Sequence, residues 1–451
     1  MRTLLLSVLG FGFLTICLPA QERHSNYEAL WNSPQVQNRI EAGIKANRMG
    51  YGNLHFVDAN DKPLDNVQVS FRQTSHDFLF GSDIFALNGF STEIDNRRYE
   101  DAFASTFNFA TVPFYWRDLE PALGQLRYEK NSQPIARRPP PDAVVEFCLK
   151  HHIAMRGHNL IGPSTLYVAK WLPNDQDEVT KFAAQRFASI AARYGQQIGI
   201  WDVINEALDY SPSSPLLPQD FAYWGMKEAD RDFPSTAKLG VNEGTEVWTD
   251  FHKEDSPYYL YLQNLLLRGA RVDVIGMQFH LFSQQFYDDV LAGKALKPLD
   301  MFRVLDQYGE LGRAINVTEI TIPTVPCSTE GEANQAELVR NFYRLWFSHP
   351  VVHAITWWNL ADGTALASEN HLCGGLLRRD LSPKASFEVL QNLIQKEWHT
   401  EGSRESGAKS IVNFQGFLGD YDITAIRAGQ TINQTIHLSK TGNNDFTVRF
   451  P

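Results

Sequence analysis

Basic residues are scarce in this chain: 41 Lys and Arg stand against 52 Asp and Glu, a formal net charge of −11. A surface of that sign repels phosphate backbones and anionic headgroups, so neither a nucleic acid nor a membrane is the expected main partner. Cysteine is scarcer still, four in 451 residues, which excludes a disulfide framework as the source of stability. No set of His, Cys and carboxylates has metal-ligand spacing, and no Gly-x-Gly-x-x-Gly turn occurs, so neither a metal nor a nucleotide cofactor is expected. The 30 Gly and 22 Pro follow no repeat, which removes collagen-like and low-complexity classes. No apolar run reaches the ~20 residues that a membrane-spanning helix needs.

What is present reads as a globular protein, with 43% apolar and 21% charged residues. Aromatics reach 12%, enough for a large core or for stacking platforms under flat sugar faces, and composition does not separate the two. Arg2 is followed by an apolar run from Leu4 to Leu18 and then by small Ala20. This is the layout of an export signal over residues 1–20, so the mature chain is expected to be secreted or periplasmic. Residues 21–49 read as a polar helical segment. Residues 50–77 then read as strand, turn, strand, with Leu54, Phe56 and Val57 before a polar turn cluster and alternating Val67, Val69 and Phe71 after it. Residues 408–451 have the same character, with Tyr421, Ile423 and Ala425 followed by Ile432 and Ile436 and then Phe446, Val448 and Phe450. Neither segment holds enough strands for stability alone, so the two are expected to form one small accessory β-sandwich.

Between them, over residues 78–400, eight short apolar runs alternate with longer stretches whose apolar residues recur at helical spacing. Repeated strand–helix units of this kind predict an α/β protein with a (β/α)8 TIM barrel. A doubly wound sheet is the rival, and it lacks its phosphate-binding turn. A (β/α)8 barrel carries its active site at the C-terminal ends of its strands. The polar residues there are His158 and Asn159, Asn205 and Glu206, Asn242 and Glu243, Gln278 and His280, Glu319, and finally Trp357, Trp358 and Asn359. Carboxylates, histidines and tryptophans converging on one mouth suit glycoside hydrolysis, which needs two carboxyl groups across the scissile bond and a flat apolar floor. Trp357 and Trp358 are adjacent and so point to opposite faces of their strand. One can floor the site while the other packs among the helices. Glu243 is read as either site-lining or structural.

The strings WDVINEA (201–207), VTEITI (317–322), RGH (156–158), QFH (278–280) and ITWWNLADG (355–363) resemble the signatures of the family 10 glycoside hydrolases, the secreted xylanase family. The resemblance covers the whole barrel, and HDFLFGSDIF (76–85) with the flanking strands is similar to members that carry an accessory sandwich. It implies a (β/α)8 barrel, a retaining mechanism and no cofactor. By position it makes Glu206 the acid/base and Glu319 the nucleophile. Asn205 would hold the sugar 2-hydroxyl, His158, Gln278 and His280 would line the subsite at the cleaved bond, and Trp358 would form its floor. The expected partner is a polysaccharide or oligosaccharide, β-1,4-xylan first, handled by a monomer. The alternatives are another β-glycan or a decorated oligosaccharide, and a carbohydrate-binding protein without catalysis.

The chain departs from the family pattern where the substrate is gripped. Members usually carry Glu-Asn-x-x-Lys ahead of the Trp that follows the second strand, and here the stretch is TVPFYW (111–116). Where RGH usually leads on to Trp-His, Gly162 and Pro163 stand. The usual Asp two residues after the nucleophile is Thr321, and DGTALASENH (362–371) lacks the usual second Trp. Of the cysteines, Cys148 lies in an apolar stretch and is expected to be a buried free thiol. Cys327 and Cys373 follow the seventh and eighth strands, neighbours in a barrel, and are expected to pair.

Overall fold

The structure is a computed structural model that describes residues 20–211, 214–249 and 255–451. The expected export signal therefore lies outside the described residues except for Ala20, where the first helix begins. Two helices, Ala20–Trp31 and Pro34–Arg48, open the described chain. They bury Tyr27, Trp31, Val36 and Ile40, and Trp31 meets Phe342 edge-on at 5.3 Å. Phe342 belongs to the long helix Thr329–Ser348, so the polar-looking leader is part of the outer helical layer. At its end Arg48 is buried and donates to the Val352 carbonyl at 2.7 Å.

Strands β1 (Met49–Val57) and β2 (Gln68–Gln73) follow. β2 alternates exposed and buried along its length, with Val69, Phe71 and Gln73 inward, because only one of its faces is covered. The barrel comes next: β3 (Leu79–Asp83), β4 (Phe109–Pro113), β5 (Ala154–Ile161), β6 (Ile200–Asn205), β7 (Lys238–Glu243), β8 (Val274–His280), β9 (Ala314–Thr321) and β10 (Val352–Trp357). These eight pair in sequence order and close, β10 against β3, as a parallel barrel. Helices cover their outer faces and side-chain layers fill the interior. They therefore read as continuous apolar runs rather than alternating ones, and β4 is buried at every position. The helix Gln176–Tyr194 illustrates the outer layer. Asp175 caps it by accepting from the Glu178 amide at 2.9 Å, and Val179, Ala183, Phe187 and Ile190 form its inward stripe.

The chain then returns to β1 and β2 through β11 (Glu401–Glu405), β12 (Ile411–Phe417), β13 (Gly419–Arg427), β14 (Gln430–Leu438) and β15 (Asp445–Arg449). Two sheets result, in the orders β12-β1-β15 and β11-β2-β13-β14. They share a separate core that includes Leu54, Phe56, Val67, Phe71, Phe414 and Ile423. The architecture is thus a TIM barrel with an accessory sandwich assembled from both ends of the chain. β11 falls in the interval 401–407 that the sequence reading left unassigned. Its residues, EGSRE, are nearly all exposed, so an edge strand here carries no apolar alternation.

Candidate active site

The end of β6 turns sharply. Glu206 has φ 54° and ψ 46°, a left-handed conformation uncommon outside glycine, and its amide donates to the Asn242 carbonyl at 2.9 Å. Gln278 and His280 are two residues apart on β8 and so share a face. Gln278 Nε2 donates to Glu206 Oε1 at 2.8 Å, and His280 Nε2 lies 3.4 Å from Glu319 Oε2. The two carboxylates are therefore addressed by side chains one pleat repeat apart. From β5, His158 Nε2 approaches Glu319 Oε1 at 3.9 Å. Trp358 lies edge-on to His158 at 5.6 Å and to His280 at 6.3 Å between centroids. Asn205 joins through Asn242, whose Nδ2 donates both to Asn205 Oδ1 at 2.7 Å and to Glu319 Oε1 at 2.8 Å. All seven residues singled out from the sequence, His158, Asn205, Glu206, Gln278, His280, Glu319 and Trp358, thus meet at one mouth.

Other strand-end residues go elsewhere. Trp357 is fully buried and donates to the Gly374 carbonyl at 3.1 Å. Glu243 is 5% exposed and accepts from the amides of Leu208 and Gly244, both at 3.2 Å, so it braces the turn that carries Glu206. Asn359 is tied to Arg137 and to Glu369. Within TVPFYW, Phe114 and Trp116 pack into the barrel wall, and Tyr115 joins Phe85, Tyr167 and Trp358 in an aromatic cluster.

Four further residues touch the site, none of them given a role from the sequence. Asn242 was noted at a strand end without a role. Asp202 Oδ2 accepts from His158 Nδ1 at 2.8 Å and pairs with the buried Arg156 at 3.3 Å, which fixes the His158 ring. Tyr167, in the loop after β5, donates from Oη to Glu206 Oε2. Phe85 meets Trp358 edge-on at 5.0 Å. The position of Asn242 one strand after Asn205–Glu206 was a usable signal, and Tyr167 carried none.

The two carboxylates sit in opposite electrostatic settings. Burial pushes Glu319 up, but His158, His280 and Arg156 outweigh it and hold the carboxyl down at about 2. Burial, reinforced by the charge on Glu319, raises Glu206 above the usual carboxylate range, and its bonds from Tyr167 and Gln278 only partly offset this. One cleft opens at Glu206 and another at Phe85. The first, of 490 Å³, is lined by Glu206, Thr245, Gln278, His280 and Phe282. The other, of 520 Å³, lies beyond Phe85 between Phe90, Pro134, Arg137 and Arg138. Among the described residues no cluster of His, Cys and carboxylates could hold a metal ion. Cys327 and Cys373 are bonded, with Cα atoms 5.9 Å apart, and tie the loop after β9 to the loop after β10 at the rim. Cys148 is free and buried.

A sequence profile described as Glycosyl hydrolase family 10 matches residues 91–392. Among curated proteins, the chain is 25% identical over 410 residues to Anti-sigma-I factor RsgI6 of Acetivibrio thermocellus, covering 88% of this chain and 48% of that protein. It is also 25% identical over 388 residues to Endo-1,4-beta-xylanase 1 of Arabidopsis thaliana, covering 83% and 36%. The chain thus spans half or less of these relatives' length. Among solved structures, native xylanase 10B from Thermotoga maritima superposes with a TM-score of 0.57 at 19% identity, over 71% of this chain and 96% of that one. The xylanase 10B from Thermotoga petrophila in complex with xylobiose gives the same score and identity over 71% and 95%. At such identities the likeness concerns the fold.

Proposed function

Because the chain belongs to glycosyl hydrolase family 10, we propose that it is a retaining glycoside hydrolase that cleaves a β-1,4-linked plant polysaccharide, xylan first. The observation that carries this reading is the opposed ionisation of two carboxyls at one mouth, Glu319 held down at about 2 and Glu206 raised. Hydrolysis with retention needs this division. Glu319, ionised, attacks the anomeric carbon while Glu206 delivers its proton to the leaving oxygen. Esterified Glu319 no longer carries charge, so the pKa of Glu206 falls and it can take a proton from the incoming water. Asn242 and His280 hold the Glu319 oxygens in place. Asn205 Nδ2 is buried without a protein partner, which suits it to a sugar hydroxyl. Trp358, with Tyr115, Tyr167 and Phe85, offers aromatic surface for the pyranose ring.

The apolar leader at residues 1–20 and the Cys327–Cys373 bond support an exported enzyme. Next to the cleaved sugar, TVPFYW (111–116) offers aromatic and apolar contact in place of the family's Glu, Asn and Lys, which supports tolerance of other β-glycans or of decorations. Where directional bonds are lacking, a wrong sugar leaves no buried polar partner unpaired.

The test is a pair of variants on a panel of β-glycans and aryl glycosides. Glu319→Ala is expected to abolish turnover on every substrate. Glu206→Ala is expected to spare the first step only for very good leaving groups, with added azide trapped as a glycosyl azide of retained configuration. Near-normal polysaccharide hydrolysis by either variant, or an inverted first product, contradicts the proposal.

A further inference from the structure

The loop after β5 is built around a contact that the sequence does not announce. Tyr167 is 8% exposed, and its phenol stands between the aromatic cluster and Glu206. Its backbone is anchored at both ends, the amide to the Ser164 carbonyl at 2.9 Å and the carbonyl to the Trp116 amide at 3.1 Å. The ring passes so close to Gly162 that a Cβ there would lie 2.7 Å from Tyr167 Cδ2 and 2.5 Å from the Asn205 carbonyl oxygen. Any side chain at position 162 would push Tyr167 away. Gly162 is one of the two residues that replace the Trp-His pair of the family pattern, and its lack of a side chain leaves the room that the Tyr167 ring takes up.

We propose that Tyr167 is a positioning residue for Glu206, holding the carboxyl in both of its protonation states and locating its proton on Oε2. This rests on the acid/base role given to Glu206 above. Gln278 presents an amide N–H to Oε1 and cannot accept from it, so Oε1 stays an acceptor and the acid proton belongs on Oε2. A hydroxyl, unlike an indole or amide N–H, both donates and accepts. Toward ionised Glu206 the Tyr167 O–H donates to Oε2. Toward the acid it rotates and accepts from Oε2–H until the leaving oxygen takes that proton, and it donates again once Glu206 is a carboxylate. Burial holds the phenol pKa well above its ordinary value, so Tyr167 keeps its own proton throughout. The other groups that bear on Glu206 are Glu319 on β9, Asp209 just beyond β6, Glu243 on β7 and the neutral phenol of Tyr115 after β4. None of these donates a hydrogen bond to Oε2 in the structure.

The experiment compares wild type, Tyr167→Phe and protein with 3,5-difluorotyrosine at position 167. kcat/KM is measured against pH on an unactivated β-1,4-oligosaccharide and on an aryl glycoside with a very good leaving group. In both cases this ratio reports the first step. Activity on the unactivated substrate requires protonated Glu206 and falls as pH rises through its pKa. Deleting the donor disfavours the carboxylate, so in Tyr167→Phe that basic limb should move up by about one pH unit. The fluorinated phenol is a stronger donor, so the limb should move down, an opposite shift that needs no loss of ring volume. At the pH optimum Tyr167→Phe should lose about tenfold on the unactivated substrate and less than threefold on the aryl glycoside. A limb that stays in place in both proteins, or equal losses on both substrates, overturns the proposal and leaves Tyr167 as packing. Failure of wild type to turn over any β-glycan, or turnover that survives Glu319→Ala, overturns the hydrolase reading instead, so the two failures are distinguishable.

Discussion

Asn242 shows how much of the candidate site hangs on one fully buried side chain. Its amide donates to both Asn205 and Glu319, and its Oδ1 accepts from Thr318 Oγ1. Asn242→Ala should leave a Glu319 oxygen without its donor and free Asn205 to rotate. The expected loss in turnover is about 10²-fold, the usual order for one removed donor at a charged centre. Because Glu319 must be ionised, and the lost donor favours its carboxylate, the acid limb of the rate profile should rise in pH; steady-state kinetics across pH checks both effects. Glu243 makes a different prediction. Burial lifts its carboxyl to about 8, well above the ordinary glutamate value of about 4.5. The folded protein thus keeps a proton that the unfolded chain releases from about pH 4.5 upward. Its stabilising effect is full below that value and is lost as pH rises through about 8. Glu243→Gln, neutral at every pH, should flatten this decline, and melting temperature followed from pH 4 to pH 9 reads it out. An unchanged slope contradicts it. Glu206 and Glu319 were legible from local strings. Tyr167 was not, because a tyrosine in a loop looks the same whether it faces solvent or a carboxylate 39 residues away.

Strands and loops show where a pattern was complete and where half of it was missing. β1 and β2 alternate clearly but have no partner in their own neighbourhood, and the partner came from the other end of the chain. Phe71 on β2 stacks on Phe414 of β12 at 4.6 Å, and the two sheets close around them. Removal of residues 408–451 should therefore expose Phe56, Val67 and Val69 and give an aggregating or much less stable protein. The milder Phe71→Ala should cost about 3–5 kcal/mol in that unit. A truncated protein with unchanged melting and solubility contradicts the shared core. β11 was missed for the opposite reason: as an exposed edge of polar residues it contributes hydrogen bonds to β2 and almost nothing to the apolar pattern. The helices at Ala20–Trp31 and Pro34–Arg48 were visible as helices, but their docking on Thr329–Ser348 depends on a handful of apolar residues, Trp31 and Ile40 among them, within a polar background.

The barrel and its rim act together through the Cys327–Cys373 bond. It spans 46 residues and joins the loops that follow the Glu319 strand and the Trp358 strand. Cys373 also accepts from Lys384 Nζ at 2.7 Å, which in turn donates to Thr324 Oγ1 at 3.1 Å, so the bridge is one strut of a braced rim. In exported protein, peptide mapping without reduction should recover these two peptides linked, and reduction should lower stability by about 2–4 kcal/mol. Two free thiols at these positions in protein collected outside the cytoplasm contradict it. At the mouth, burial raises both carboxyls of the acidic pair, and His158, His280 and Arg156 bring Glu319 back down.

Periodicity in the chain was enough for the barrel, since strands covered on both faces must be apolar along their length and must alternate with one-sided helices. Short strings at strand ends were enough to expect Glu206 and Glu319 at one mouth, because the C-terminal ends of all eight barrel strands converge there, although neighbours such as Trp357 turn away from it. Three-dimensional contact was needed for the rest: the double donation by Asn242, the Asp202 brace behind His158, the reach of Tyr167 past Gly162, and the polar edge strand β11. Apolar spacing reports which faces are buried and is blind to which polar partner a buried group finds, because hydrogen-bond partners are chosen by loop path and chain crossing, and neither leaves a periodic trace in sequence.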